Sequence, residues 1–394
     1  MSFAPIKLTY VLADFGIGGV QRVVLDILQH IDLNKYDVSV VVLSKIDTLI
    51  KASPVSDKIK FYFLDYQFDN SYRLKDYLKA SFFKSHTRKR AEKVVQTLYE
   101  IQPDIIHFHT LPRELMIGIL VKEKLPRVEL VFTDHSVRIS TYDYKKHIRI
   151  GLGLAYRNLY RHYHVIAVSK TVEDVAKKYG FIAKNKCYKR IENQIHLDKF
   201  LQISYEKKSL LTLVYVSRIT PTKGQDELII AFSKLHASTP IQLYLVGPDE
   251  LGGKLQRLAQ ELRLTNVHFL GARNDVPEIL SNCDIGVFPS HKEGMPVALL
   301  EKMACGLPVV ASDIPEITDI VKHNENGLIF RCKDTDDLAR KLTQLIEDAP
   351  LRKRLGEAAR KTIEQRFGQG TTAKMNEQFY EEILNEFVKK GRFL

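Results

Sequence analysis

Short apolar runs recur along the chain, separated by longer polar or amphipathic segments, and this alternation limits the possible folds more than any other feature. The first runs span residues 8–12, 38–43, 59–64, 105–108, 130–132 and 165–168. The pattern resumes at 212–216 and continues through 241–246, 267–270, 285–288 and 308–311. Such runs suit a parallel sheet covered on both faces, where a strand has no solvent side to mark with polar residues. The expected fold is therefore α/β, with two Rossmann-like doubly wound domains. Residues 1–192 form the first and 210–372 the second, with a linker over 193–209. Ligands bind such sheets beyond the carboxyl ends of the strands, which places the site in the cleft between the domains.

Composition narrows the class. With 394 residues, 45% apolar and 27% charged, the chain has the make-up of ordinary globular domains. No run approaches the ~20 apolar residues of a transmembrane helix. The opening Met1-Ser-Phe-Ala-Pro-Ile-Lys7 lacks the shape of a signal peptide. Cys187, Cys283, Cys305 and Cys332 are widely spaced, which suggests neither a disulfide framework nor a zinc site. A cytoplasmic protein is expected. The net charge of +12 predicts attraction to polyanions without choosing among nucleic acid, anionic lipid and phosphorylated substrates.

The chemistry concentrates after the run at 285–288, in Pro289-Ser-His-Lys-Glu293-Gly-Met-Pro-Val-Ala-Leu-Leu-Glu301. Pro296 marks a helix start. The N–H groups of Gly294, Met295 and Val297 then face out of a helix N-terminus, a natural seat for phosphate. Glu301 follows Gly294 by seven residues, roughly 10 Å along a helix, so one carboxylate can meet each end of a sugar nucleotide. Two solvated glutamates on a surface helix would share this spacing. Arg218 and Lys223, in Ser217-Arg-Ile-Thr-Pro-Thr-Lys-Gly-Gln225, sit where two cations can neutralise a leaving diphosphate. Gly247 lies in a second strand-end turn. The first βα turn, Asp14-Phe-Gly-Ile-Gly-Gly-Val-Gln21, lacks the dinucleotide fingerprint, and the run at 38–43 is followed by Ser-Lys, not by an acid for a ribose. Gly18 and Gly19 there let backbone approach a ligand, in a tight turn expected to need positive φ. Asp334-Thr-Asp336 has a D-x-D spacing but reads as a capped helix start.

Glu293, seven residues on to Glu301, and then Cys305-Gly-Leu-Pro-Val-Val310 resemble the E-x7-E signature of retaining GT-B glycosyltransferases of the GT4 family. The resemblance covers nearly the whole chain. It implies that Glu293 holds the sugar, at its 3- and 4-hydroxyls, and Glu301 the ribose. Arg218 and Lys223 followed by Gly224 match the family's Arg and Lys-Gly pattern at the diphosphate. His135, in Thr133-Asp-His-Ser136, resembles the strand-end histidine beside the donor sugar. His107 and His109 resemble a structural or acceptor-side motif, and the turn carrying Arg273 resembles the one that holds the base. In this fold the segment 373–394 would cross back to the first domain as a helix. Asn193-Gln194 departs from the Asn-Gly often found at the hinge.

The resemblance implies metal-independent, retaining transfer from a UDP- or GDP-linked sugar, without a cofactor, to a glycan or lipid-linked acceptor in polysaccharide or glycolipid synthesis. A sugar-nucleotide 2-epimerase of the same fold and an inactive scaffold subunit are the alternatives. A glycosidase is disfavoured, because the two glutamates would face a nucleotide and not one glycosidic bond. The nucleic-acid option is set aside. Lys145, Arg149, Arg157 and Arg161 form a basic stripe beside Tyr144, Ile148, Leu152, Tyr156 and Tyr160, and residues 82–90 add a second basic cluster. Peripheral contact with an anionic membrane is expected from both, against the alternative of an ordinary helix with its apolar stripe in the core.

Overall fold

The computed structural model describes residues 4–16, 18–52, 55–66, 84–110, 112–135, 146–205, 209–235, 240–368 and 371–389, with backbone alone at 52, 84–90, 112–113, 146–152 and 387–389. The chain forms two compact units, divided at Glu192/Asn193 and again at Thr371/Thr372, the C-terminal segment returning to the first unit.

The first unit is built on a seven-stranded sheet. Its strands are β1 (Ile6–Leu12), β2 (Tyr36–Val42), β3 (Lys60–Phe63), β4 (Ile105–His109), β5 (Glu129–Asp134), β6 (His164–Ala167) and β7 (Tyr188–Arg190). The order β3-β2-β1-β4-β5-β6-β7 is parallel throughout. Strands such as β4, Ile-Ile-His-Phe-His, are buried along their whole length. Order reverses between β1 and β4, where Leu12 pairs with His109. That pair of carboxyl ends is the switch point of this sheet. Helix Gly19–His30 turns Val24, Ile27 and Leu28 into the core.

Helix Thr372–Lys389 packs on this unit through buried Phe379, Tyr380 and Ile383. Burying each such side chain contributes about 1.5–3 kcal/mol. The Tyr380 hydroxyl is not stranded: it lies 3.0 Å from Tyr10 Oη and 2.6 Å from His107 Nδ1. Helix Lys146–Tyr160 corrects the membrane expectation in part. Tyr156 and Tyr160 are buried against Phe132 and Phe181, while Arg157 and Arg161 face solvent. The described aromatic stripe is thus core. Lys145, Tyr144 and residues 82–83 lie outside the described residues, as do the side chains of 84–90, Ile148, Arg149 and Leu152.

The second unit holds a six-stranded parallel sheet ordered β10-β9-β8-β11-β12-β13. Its strands are β8 (Leu211–Val216), β9 (Ile241–Val246), β10 (Val267–Gly271), β11 (Ile285–Phe288), β12 (Val309–Ser312) and β13 (Leu328–Phe330). Here the order reverses between β8 and β11. Strands β7 and β13 were not anticipated. Each is a three-residue edge strand, too short for an apolar run to stand out. The segment expected as a linker is packed on this unit: Ile195, Phe200 and Ile203 enter its core, Ile203 N–H donates to Cys305 O, and Tyr205 Oη donates to Gly306 O. Asp334 caps helix Thr335–Glu347, accepting from the N–H groups of Asp336 and Asp337 at 3.1 and 2.9 Å. The D-x-D spacing serves that cap.

Candidate functional site

In the second unit the loops leaving β8 and β11 emerge side by side at the switch point and are knitted together. Gly224, the N-cap of helix Gln225–Ser233, has φ +68°. A Cβ there would lie 2.1 Å from Pro289 O, so only glycine lets the two loops approach this closely. His291 N–H donates to Thr222 O at 3.0 Å, and the His291 ring sits 3.0 Å from the Glu227 carboxylate. Burial acts against the charge on Glu227, but the His291 ring, Asp226 and the backbone N–H of Glu227 together outweigh it and hold the carboxyl at about 2. Gly247, at the end of β9, has φ +144° and presses against Ser217 O, 1.9 Å from where a Cβ would be.

These contacts bring Lys223 and Glu293 together. Lys223 Nζ donates to Glu293 Oε1 at 2.6 Å, with only 17% and 9% of the two side chains exposed. The cation and the carboxylate expected at opposite parts of a donor are thus one ion pair. Arg218 lies on the same loop but points outward, half exposed, with Glu250 Oε1 at 2.8 Å. Arg273, in the turn after β10, is exposed and forked by Asp275.

The helix behind Glu293 differs from expectation at its start. Pro296 is the N-cap, and the helix spans Val297–Ala304. Residues 293–296 are therefore not helical, so helical rise applies only from Val297 to Glu301. Val297 N–H is satisfied by Met295 O at 2.9 Å. It is the N–H groups of Gly294, Met295 and Ala298 that find no acceptor among the described residues. They remain a seat for an anion at the positive end of the helix. Glu301, one turn into that helix, is buried.

Two neighbours gave no earlier signal beyond being charged in an apolar stretch. Lys302 is fully buried, its Nζ 5.2 Å from the Phe288 ring and 5.8 Å from that of Tyr215, donating to Ala298 O at 3.1 Å. Burial lowers its pKa to about 8, with Glu301 and Glu293 pulling the other way. Its aliphatic stem lies over Gly286, where an added Cβ would come within 2.9 Å. Glu316, beyond β12, is buried too. Burial raises its carboxyl above the ordinary range, and Glu293 adds to that rise.

In the first unit the carboxyl ends of β4 and β5 gather three histidines. His107 Nε2 meets Thr133 Oγ1 at 2.7 Å, and His109 Nδ1 meets His135 Nε2 at 2.9 Å. Burial holds His107 and His109 well below the usual imidazole range and brings His135 down to about 4. The adjacent glycine loop departs from expectation. Gly18 is extended at φ −167°, and no glycine of this loop has positive φ. A Cβ at Gly19 would meet nothing within 4 Å. The loop is held by Asp14, which accepts from Gly16 N–H and Gln21 Nε2, and the backbone at Gly19 stands open.

Residues 198–362 match the family described as glycosyl transferases group 1, and residues 17–188 match glycosyltransferase family 4. The chain is 26% identical over 306 residues to the N-acetyl-alpha-D-glucosaminyl L-malate synthase of Bacillus anthracis, covering 75% of this chain and 79% of that protein. It is 25% identical over 309 residues to the capsular polysaccharide biosynthesis glycosyltransferase CapM of Staphylococcus aureus, covering 75% and 80%. Among solved structures, Anabaena HepE in complex with UDP and glucose superposes with a TM-score of 0.77 at 22% identity, over 96% of this chain and 100% of that one.

Proposed function

The chain belongs to the GT4-type glycosyltransferases of GT-B fold, and from that premise we propose that it moves a hexose from a UDP- or GDP-linked donor to a glycan or lipid-linked acceptor, with retention and without a metal. The observation that carries this reading is the Lys223–Glu293 pair at the switch point, beside a helix start with unpaired N–H groups. Family relatives in capsular polysaccharide synthesis, and a fold relative holding UDP and glucose, support the substrate class.

In the proposed reaction the bond between the anomeric carbon and the diphosphate oxygen breaks, and a bond from that carbon to the acceptor oxygen forms on the same face. The acceptor proton passes to the departing phosphate. The costly charge is the one developing on the diphosphate. Lys223 and the N–H groups of Gly294 and Met295 would stabilise it as preorganised donors, and Arg218 would join them on leaving Glu250. Glu293 would accept from two sugar hydroxyls, a geometry suited to a carboxylate. Glu301 would take the ribose, with Gly247 and the Arg273 turn near the nucleotide. His135, Gly18 and Gly19 would serve the substrate from the first unit. Among the described residues no helix is long and apolar enough to cross a membrane. The exposed Arg157 and Arg161 would support electrostatic contact with an anionic membrane surface.

The test is incubation with UDP- and GDP-hexoses and a panel of glycan and lipid-linked acceptors in EDTA, with the product's anomeric configuration read by NMR. Transfer with retention is expected. Inversion, a strict requirement for Mn²⁺, or isomerised donor without transfer would each overturn the corresponding part.

A further inference from the structure

His109 closes β4 beside the switch point of the first sheet, 4% exposed. Its Nδ1 is 2.9 Å from His135 Nε2, while its Nε2 is buried with no hydrogen-bond partner among the described residues. The nearest ring does not relieve it. The His107 ring lies 4.2 Å away, centroid to centroid, tilted by 43°, but has committed Nδ1 to Tyr380 and Nε2 to Thr133.

A hydrogen bond between two neutral imidazoles holds one proton, and it has two forms. In one, His109 Nδ1–H donates to His135 Nε2. The orphan on His109 is then a bare lone pair, and the His135 proton must sit on Nδ1. In the other, His135 Nε2–H donates to His109 Nδ1. The orphan is then a buried N–H, and His135 Nδ1 is bare. Buried N–H groups without an acceptor are rarer in proteins than under-used acceptors, and a stranded donor carries its full desolvation cost.

We propose that His109 is a positioning residue that locks His135 in its Nδ1–H form, so that His135 offers the substrate a hydrogen-bond donor and not a base. This rests on the glycosyltransferase reading and sharpens it. A donor beside the reacting sugar fits a reaction in which the leaving phosphate takes the acceptor proton. A basic His135 would suit abstraction of a sugar proton, as an epimerase needs.

Long-range ¹H–¹⁵N spectra of the histidine-labelled, ligand-free protein read the tautomers directly. Protonated Nδ1 on both His109 and His135 is expected; a proton on His135 Nε2 overturns the proposal. Two variants test the consequence. In His109→Asn the amide can keep an N–H near the position of Nδ1, and kcat/KM should stay within about threefold of the parent. In His109→Leu the donor is lost, and kcat/KM should fall about tenfold or more with nucleoside diphosphate affinity unchanged. Equal damage in both variants, or none in His109→Leu, overturns the positioning role. A parent protein that transfers no sugar to any acceptor counts against the functional reading alone, because the spectra report the tautomer without turnover.

Discussion

Lys223 Nζ lies 2.6 Å from Glu293 Oε1, and the two groups hold each other's charge out of bulk water. Charges removed from water are costly unless paired, and breaking such a pair strands the survivor. The pair therefore gives the ligand-free site a stable arrangement of a cation and an anion that a sugar nucleotide would use separately. Lys223→Ala should lose on the order of 2–4 kcal/mol of transition-state stabilisation in kcat/KM. It should also melt earlier, because Glu293 is left without its cation. Adding Glu293→Gln should recover the melting temperature but not the activity. Full activity in Lys223→Ala would refute the assignment.

The two glutamates should separate kinetically. Glu293→Gln is expected to lower turnover while the bare nucleoside diphosphate still binds. Glu301→Ala should weaken that binding, read by calorimetry. Unchanged affinity in Glu301→Ala would remove Glu301 from the ribose.

Gly224→Ala tests the knitting of the loops. Its positive φ and the approach of Pro289 O to 2.1 Å from an added Cβ leave the methyl no room unless the loop moves. A loss of about 1–3 kcal/mol of stability is expected, together with reduced turnover as Lys223 shifts from Glu293. Chemical denaturation and steady-state kinetics check both, and a variant matching the parent in both would show the loops to be independent.

Acid sensitivity should centre on Glu129, at the opposite end of β5 from His135. Its carboxylate meets His164 Nε2 at 2.9 Å, Lys186 Nζ at 2.7 Å and Lys122 Nζ at 3.4 Å. Burial acts against its charge, but His164, Lys186 and Lys122 outweigh it and hold the carboxyl at about 2, below its ordinary 4.5. The unfolded chain takes up that proton first. The stabilisation, roughly 3 kcal/mol, is thus present above pH 4.5 and lost as pH falls toward 2. Burial also lowers His164 below its ordinary 6.5, so loss begins below pH 6.5. Glu129→Gln should be less stable at pH 7, with the gap narrowing in acid. A gap constant between pH 7 and 3 in urea titrations would contradict this.

With Tyr156 and Tyr160 in the core and Arg157 and Arg161 exposed, membrane contact through these residues should be electrostatic. Co-sedimentation with anionic vesicles is expected at low salt, abolished by high salt and weakened in Arg157→Glu/Arg161→Glu. Absence of binding at low salt would exclude it.

The alternation of apolar runs carried the two parallel sheets, because strands buried on both faces cannot hide their composition. Gly224 was marked by the Lys223-Gly224 pair, and the fold supplies the reason for a glycine there: Pro289 O comes too close for any side chain. Lys223, Glu293 and Glu301 stood out as candidates, and the fold joins the first two in one ion pair. Edge strands β7 and β13 were not legible, since three residues make no pattern. Pairing was not legible either. Nothing along the chain joins Lys223 to Glu293 across seventy residues, His291 to Glu227, or His109 to His135. Those partnerships exist because strand order places β8 beside β11 and β4 beside β5, and only the fold sets strand order. The fate of the tyrosine stripe was likewise a tertiary matter. An amphipathic helix has the same periodicity whether its apolar side meets lipid or a core, and here Phe132 and Phe181 were there to receive it.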